Sequence, residues 1–228
     1  MLRTLVLSTV AVMLSTLALV APAAADESPA AAAGPRIAVV GDSITSWFRD
    51  EPGSVSQGWW SMLARDLNAS IATYAEGGSG MNIRGNNCHG TTFGQRLRSL
   101  QQVDILILQG GRNDMWTCDA AGKKKALTPA KQKAGIKRYL ARLGDRADAL
   151  GIPRSHVLVV SPWGKSDRAR GYKIQSYMRL FSNRNHEGFT FIETKTLPSR
   201  LTFDNKHPNR DGSLYLSAVM KRAVQATL

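Results

Sequence analysis

The pattern of hydrophobic and polar positions alternates between two kinds of segment. Continuous apolar runs at residues 37–40, 103–108 and 156–161, each closed soon after by Gly or Pro, read as strands buried on both faces. Residues 70–74 and 189–192 are shorter runs of the same kind. Between them, apolar residues recur at helical spacing. Trp59, Trp60, Leu63 and Leu67 make one stripe, and Ile136, Leu140, Leu143, Ala147 and Leu150 make another. Thr128-Pro129 opens the second of these helices as N-cap and first helical residue, and Gly151 and Pro153 stop it. Further helices are expected near residues 93–100, over 172–182, and over 211–226 with Leu216, Val219, Met220 and Ala223 inward. Strands alternating with helices predict an α/β fold, with a parallel sheet covered on both faces. Right-handed crossovers bring every strand's C-terminal end to one edge, where open α/β sheets bind their ligands.

The first residues stand outside this pattern. Arg3 begins a positive segment, residues 5–20 are apolar, and Ala23-Ala24-Ala25 offers small side chains before Asp26. This predicts a signal peptide over residues 1–25, cleaved near Ala25-Asp26, and hence a secreted, extracellular protein. An uncleaved membrane anchor is the competing reading, and the run is short for a spanning helix. The Ala-, Ser- and Pro-rich residues 26–34 are expected to form a disordered lead-in. Residues 35–228 then make one domain, expected to be a monomer, with no transmembrane segment after signal removal.

The formal charge of +13 is spread along the chain, with a run at Lys123-Lys124-Lys125 and a set at Lys131, Arg138, Arg142 and Arg146. It suits weak attraction to anionic surfaces, or simply a solvated face. No zinc-finger spacing or aromatic RNA-binding strand accompanies it, so specific nucleic-acid binding is not expected. Cys88 and Cys118 are an even pair, which in an oxidising compartment predicts a disulfide rather than two thiols. No CxxC or HExxH spacing is present, so no metal site is expected.

Three polar segments follow predicted strand ends: Gly41-Asp42-Ser43-Ile44-Thr45, the glycine cluster Gly77-Gly78-Ser79-Gly80, and Gly111-Arg112-Asn113-Asp114. A fourth, Asp204-Asn205-Lys206-His207, precedes the last helix. A serine needs a base to become a nucleophile at neutral pH. His207 is the candidate base, and Asp204, three residues earlier, can orient its ring. Acyl transfer also needs donors aimed at the oxyanion. The backbone N–H groups of Ser43 and Gly77 and the side-chain amide of Asn113 are the candidates. The nucleophile elbow Gly-x-Ser-x-Gly is absent, and Ser79 is its nearest approach.

These four blocks, in this order, resemble those of the SGNH (GDSL-type) hydrolases over essentially the whole chain after residue 25. The resemblance implies a flavodoxin-like three-layer α/β/α sandwich with a five-stranded parallel sheet in the order 2-1-3-4-5. It implies Ser43 as nucleophile, His207 as base and Asp204 as its partner. It also implies an oxyanion hole of Ser43, Gly77 and Asn113, and no cofactor. One position departs from the family: many members carry Asn two residues before the second-block glycine, where this chain has Ala75, followed by Glu76. A Cys88–Cys118 bridge would tie together the two loops that carry oxyanion donors.

The expected reaction is hydrolysis of carboxylic esters through an acyl-enzyme on Ser43, with short- to medium-chain acyl esters as substrates. O-deacetylation of an envelope or plant polysaccharide is the alternative, and a lipid or phospholipid is the third. Trp47, Phe48, Trp116 and Trp163 are expected either to line an acyl or sugar pocket or to pack the loops. A non-catalytic binder of acidic glycans on a hydrolase fold is the competing class.

Overall fold

A computed structural model of the chain describes residues 34–46, 58–163 and 168–228. The expected signal peptide and most of the lead-in lie outside the described residues, as do Trp47 and Phe48. Five strands form one parallel sheet: β1 (Arg36–Gly41), β2 (Ser70–Ala75), β3 (Ile105–Gln109), β6 (Val157–Val160) and β7 (Thr190–Ile192). Their order is β2-β1-β3-β6-β7, which is the expected 2-1-3-4-5 order once the sheet strands alone are counted.

Side chains alternate between the two faces along each central strand. Ala38, Val40, Leu106, Leu108, Val157 and Val159 point into one core layer, while Ile37, Val39, Ile105, Ile107, Leu158 and Val160 point into the other. All twelve are essentially inaccessible to solvent, which is why these strands read as unbroken apolar runs. The first face is covered by α3 (Phe93–Arg96), α4 (Pro129–Ala149) and α5 (Arg168–Ser182). The second is covered by α2 (Trp59–Leu67) and α6 (Arg210–Gln225), packed against each other. Helix starts follow local chemistry. The Lys131 N–H donates to Thr128 Oγ1 (3.4 Å) ahead of α4, and the Gly212 N–H donates to Asn209 Oδ1 (2.9 Å) ahead of α6. The helix expected near residues 93–100 is one α-turn followed by a 3₁₀ turn at Leu97–Ser99.

The antiparallel hairpin of β4 (Trp116–Cys118) and β5 (Lys124–Ala126) was not expected. Its residues are exposed or half-buried, so they leave no hydrophobic alternation to read. Backbone pairing and the turn after Cys118 hold it: the Asp119 N–H donates to Lys123 O (2.9 Å), and the Lys123 N–H to Asp119 Oδ1 (2.8 Å). The lysine run lies on this hairpin. Part of the helical basic set is structural. Arg142 Nη2 donates to Gly94 O (3.3 Å) and Arg146 Nε to Leu97 O (3.1 Å), so both meet carbonyls of the α3 region. Among the described residues no helix is long and apolar enough to cross a membrane.

Register aligns the strand ends. Gly41 sits opposite both Ala75 and Gln109, and Gln109 sits opposite Val160. The segments leaving β1, β2, β3 and β6 therefore emerge on one rim.

Candidate active site

Ser43 is the first residue of α1 (Ser43–Ser46), two residues beyond the end of β1. The buried Asp42 builds this turn: its carboxylate accepts from the Ile44 N–H (2.9 Å), and its carbonyl accepts from Thr45 and Ser46 (3.1 and 3.0 Å). A Cβ on Gly41 would stand 2.4 Å from Thr45 Oγ1, so only glycine lets the chain turn this tightly. Thr45 Oγ1 in turn donates to Gln109 Oε1 at 2.6 Å, tying the turn to β3.

On the far side of the rim, the Asp204 carboxylate shapes its own loop. Oδ1 accepts from the backbone N–H groups of Lys206 (2.9 Å) and His207 (2.7 Å). Asn205 between them takes a left-handed conformation, φ 63°, which Asn tolerates better than most residues. The other carboxylate oxygen lies 2.7 Å from His207 Nδ1, and His207 Nε2 lies 2.8 Å from Ser43 Oγ. A carboxylate only accepts, so in the neutral ring Nδ1 carries the proton and Nε2 accepts from the Ser43 hydroxyl. Burial pushes the Asp204 carboxyl up, but the His207 N–H, its ring and the Lys206 N–H outweigh burial and hold it below the ordinary carboxylate range. The Phe203 ring stacks on the His207 ring at 5.6 Å between centroids and 15° between planes.

The second loop begins at Glu76. The Gly77 and Ser43 N–H groups find no acceptor within the chain among the described residues, which leaves both available to a ligand. Asn113 Nδ2 donates to Ser79 O at 2.9 Å, and its second hydrogen is spare. Ser79 itself is fully buried and its hydroxyl donates to Glu76 O (2.6 Å), so it is part of the loop's framework. Glu76 follows Ala75, the position at which the chain departs from the family pattern. Its carboxylate accepts from the Thr91 N–H (2.9 Å) and hydroxyl (2.5 Å). A Cβ on Gly90 would stand 1.4 Å from Glu76 Oε1, so the carboxylate occupies space that only glycine leaves open.

Ser43, Gly77, Asn113 and His207 line one cleft of about 550 Å³, together with Asn86, Asn87, Arg112 and Lys206. The last four were not read as site residues. Asn86, Asn87 and Cys88 take consecutive left-handed conformations (φ 46°, 53° and 76°), and the Asn86 N–H donates to Gly77 O (2.9 Å). Two asparagines in a row after a glycine were the available signal, since Asn adopts this conformation most readily. Cys88 and Cys118 are joined in a disulfide, which fastens this segment to β4 just beyond the Asn113 loop. Of the two readings left open for the tryptophans, Trp163 takes the packing one. Trp163 is fully buried and meets Trp59 edge-on at 5.5 Å, so it packs the core and is not among the residues lining the cleft. Trp116 stands on β4 and is not among the residues lining the cleft.

Behind Asn113, Asp114 is fully buried. Burial pushes its carboxyl up to about 7, against the Asn82 N–H that donates to it at 2.6 Å. The unfolded carboxyl loses its proton near 3.8, so between these values the folded state holds the extra proton. The group's contribution to stability is therefore full below about pH 4 and is lost as pH rises through about 7. Asp42, also raised by burial, acts in the same direction. Asp114→Asn should flatten stability against pH over this window, removing a slope of up to ~1.4 kcal/mol per pH unit. Urea unfolding at successive pH values measures it, and an unchanged slope would refute the assignment.

Residues 37–218 match the family model described as GDSL-like lipase/acylhydrolase. The chain belongs to this family. It is an ester-hydrolysing serine hydrolase, and its fold is shared by solved structures at low identity. A family two carbohydrate esterase from Clostridium thermocellum in complex with cellohexaose is 15% identical, with a TM-score of 0.62 over 84% of this chain and 63% of that one. An acetyl xylan esterase from the rumen bacterium Butyrivibrio proteoclasticus is 15% identical, with a TM-score of 0.57 over the same shares, 84% and 63%. TesA is 18% identical, with a TM-score of 0.60 over 85% of this hydrolase and 99% of TesA. The chain thus spans 63% of the length of each of those two carbohydrate esterases. No curated protein sequence matches it significantly.

Proposed function

We propose that Ser43 is the nucleophile of this hydrolase, with His207 as general base and Asp204 as the group that orients the imidazole. The observation that carries the reading is the unbroken chain Asp204–His207–Ser43, with contacts of 2.7 and 2.8 Å. Ser43 Oγ attacks the ester carbonyl carbon as its proton passes to His207 Nε2. The carbonyl oxygen becomes an oxyanion, met by the N–H groups of Ser43 and Gly77 and the spare amide hydrogen of Asn113. The tetrahedral adduct collapses, and the imidazolium returns its proton to the departing alkoxide. A water activated by His207 then hydrolyses the acyl-serine and releases the acid.

The substrate we infer is a small acyl ester of a hydroxylated alcohol, with an acetylated polysaccharide as its best-fitting natural form. Asn86, Asn87, Arg112 and Lys206 line the cleft with hydrogen-bonding groups, while Ile44 is the apolar side chain among its described lining. Such walls suit sugar hydroxyls better than a long acyl chain. The positive net charge favours approach to acidic polymers. Export through the signal peptide at residues 1–25 fits a disulfide-bonded domain over 35–228. A panel of p-nitrophenyl esters from acetyl to long chains, run beside acetylated xylan and a phospholipid, tests the assignment. kcat/KM should be highest for acetyl and propionyl esters, with acetate released from xylan. A rate that climbs with chain length, or preference for the phospholipid, would overturn it.

A further inference from the structure

A Cβ on Gly77 or Gly78 would meet no atom of the described residues within 4 Å. The Asn86 N–H holds Gly77 O (2.9 Å), and further hydrogen bonds hold the flanking residues Glu76 and Ser79 from behind. The group behind this segment is Arg96, on α3. We propose that Arg96 is a positioning residue that sets the geometry of the oxyanion-binding groups, an inference that rests on the roles given above to Gly77 and Asn113.

The Arg96 side chain is 12% exposed, and all three of its nitrogens are used. Nε donates to Tyr74 O (3.0 Å), near the end of β2. Nη2 donates to Gly41 O (3.0 Å), the last residue of β1 before the Asp42-Ser43 turn. Nη2 also donates to Ser79 Oγ (2.9 Å), and Nη1 reaches Glu76 Oε2 (3.2 Å) and Thr91 Oγ1 (2.8 Å). One rigid plane thus links the ends of two strands to the residues on either side of Gly77-Gly78. From Ser79 the linkage continues, because its carbonyl accepts from Asn113 Nδ2 (2.9 Å). Through Glu76 and Ser79, then, Arg96 bears on both the Gly77 N–H and the Asn113 amide. It lies outside the cleft's lining. A lysine could keep the charge opposite Glu76, but it has no fork to span the two strand ends and Ser79 together.

The test is a double-mutant cycle on p-nitrophenyl acetate with Arg96→Lys and Asn113→Ala, supported by Ser79→Ala and thermal melts of every variant. Loss of one oxyanion donor lowers kcat by about 10²–10³-fold, and misplacing donors should fall somewhat short of that. Arg96→Lys is therefore expected to lower kcat by roughly 10–100-fold, with KM changed less than threefold. In the Asn113→Ala background the same change should cost severalfold less, because one of the groups it positions is already gone. Ser79→Ala, which keeps Arg96 and removes the hydroxyl that accepts from Arg96 and donates to Glu76 O, should lower kcat in the same selective way, and full kcat in it overturns the role even if Arg96→Lys does not fold. Equal losses in both backgrounds, full kcat in Ser79→Ala, or a loss carried by KM alone would overturn the role of Arg96 and leave the ester-hydrolase reading intact. A wild-type enzyme that turns over no ester would instead remove the reading on which the role rests.

Discussion

Ser43→Ala is expected to reduce turnover of p-nitrophenyl acetate by ~10⁴-fold or more, while the protein keeps its melting temperature. The size follows from the chemistry, since without Oγ no acyl-enzyme forms and what remains is binding and oxyanion stabilisation of a direct attack by water. The fold should be indifferent, because the turn is built by the Asp42 carboxylate and carbonyl and not by the Ser43 side chain. Labelling by a fluorophosphonate should stop in the same variant, and intact-mass measurement should place the adduct of the wild type on Ser43. Retained turnover, or labelling elsewhere, would end the assignment. A non-catalytic glycan binder would show no labelling in the wild type at all.

The second large effect concerns the disulfide. Cys88 and Cys118 are 30 residues apart in sequence, and closing a loop of that length constrains the unfolded chain by about 3–4 kcal/mol on the entropy model. Replacing both with Ala should lower the melting temperature by roughly 6–15 °C for a domain of this size. Activity should fall with it, because the bridge anchors the left-handed Asn86-Asn87 segment, whose backbone bonds Gly77 O and whose side chains line the cleft. Calorimetry and p-nitrophenyl acetate kinetics on the double variant, and on the wild type under reductant, measure both. If neither melting temperature nor kcat/KM moves, the bridge does not support these loops.

Much of the fold was legible because its signals are local and strong. The central strands, hidden on both faces, must be apolar throughout, and α4 carries its own start in Thr128-Pro129. The β4–β5 hairpin was not legible, since three-residue strands held by backbone pairing and a turn impose little on side-chain type. Trp163 was legible only as a choice between two readings. A tryptophan at a strand end suits a binding rim and a core equally, and only its edge-on contact with Trp59 distinguishes them. Arg96 was one of many basic residues until its neighbours came from β1, β2 and the Glu76–Ser79 loop.

By itself, the sequence determined the α/β alternation and which polar motifs follow the strand ends, because apolar periodicity and short motifs are written in neighbouring residues. Only the tertiary structure decided that His207 meets Ser43, 164 positions away, at 2.8 Å, and that a disulfide, Arg96 and two left-handed asparagines shape the cleft around them. Those facts depend on distances between segments remote in the chain, and such distances are set by packing the whole sheet with both of its helical layers.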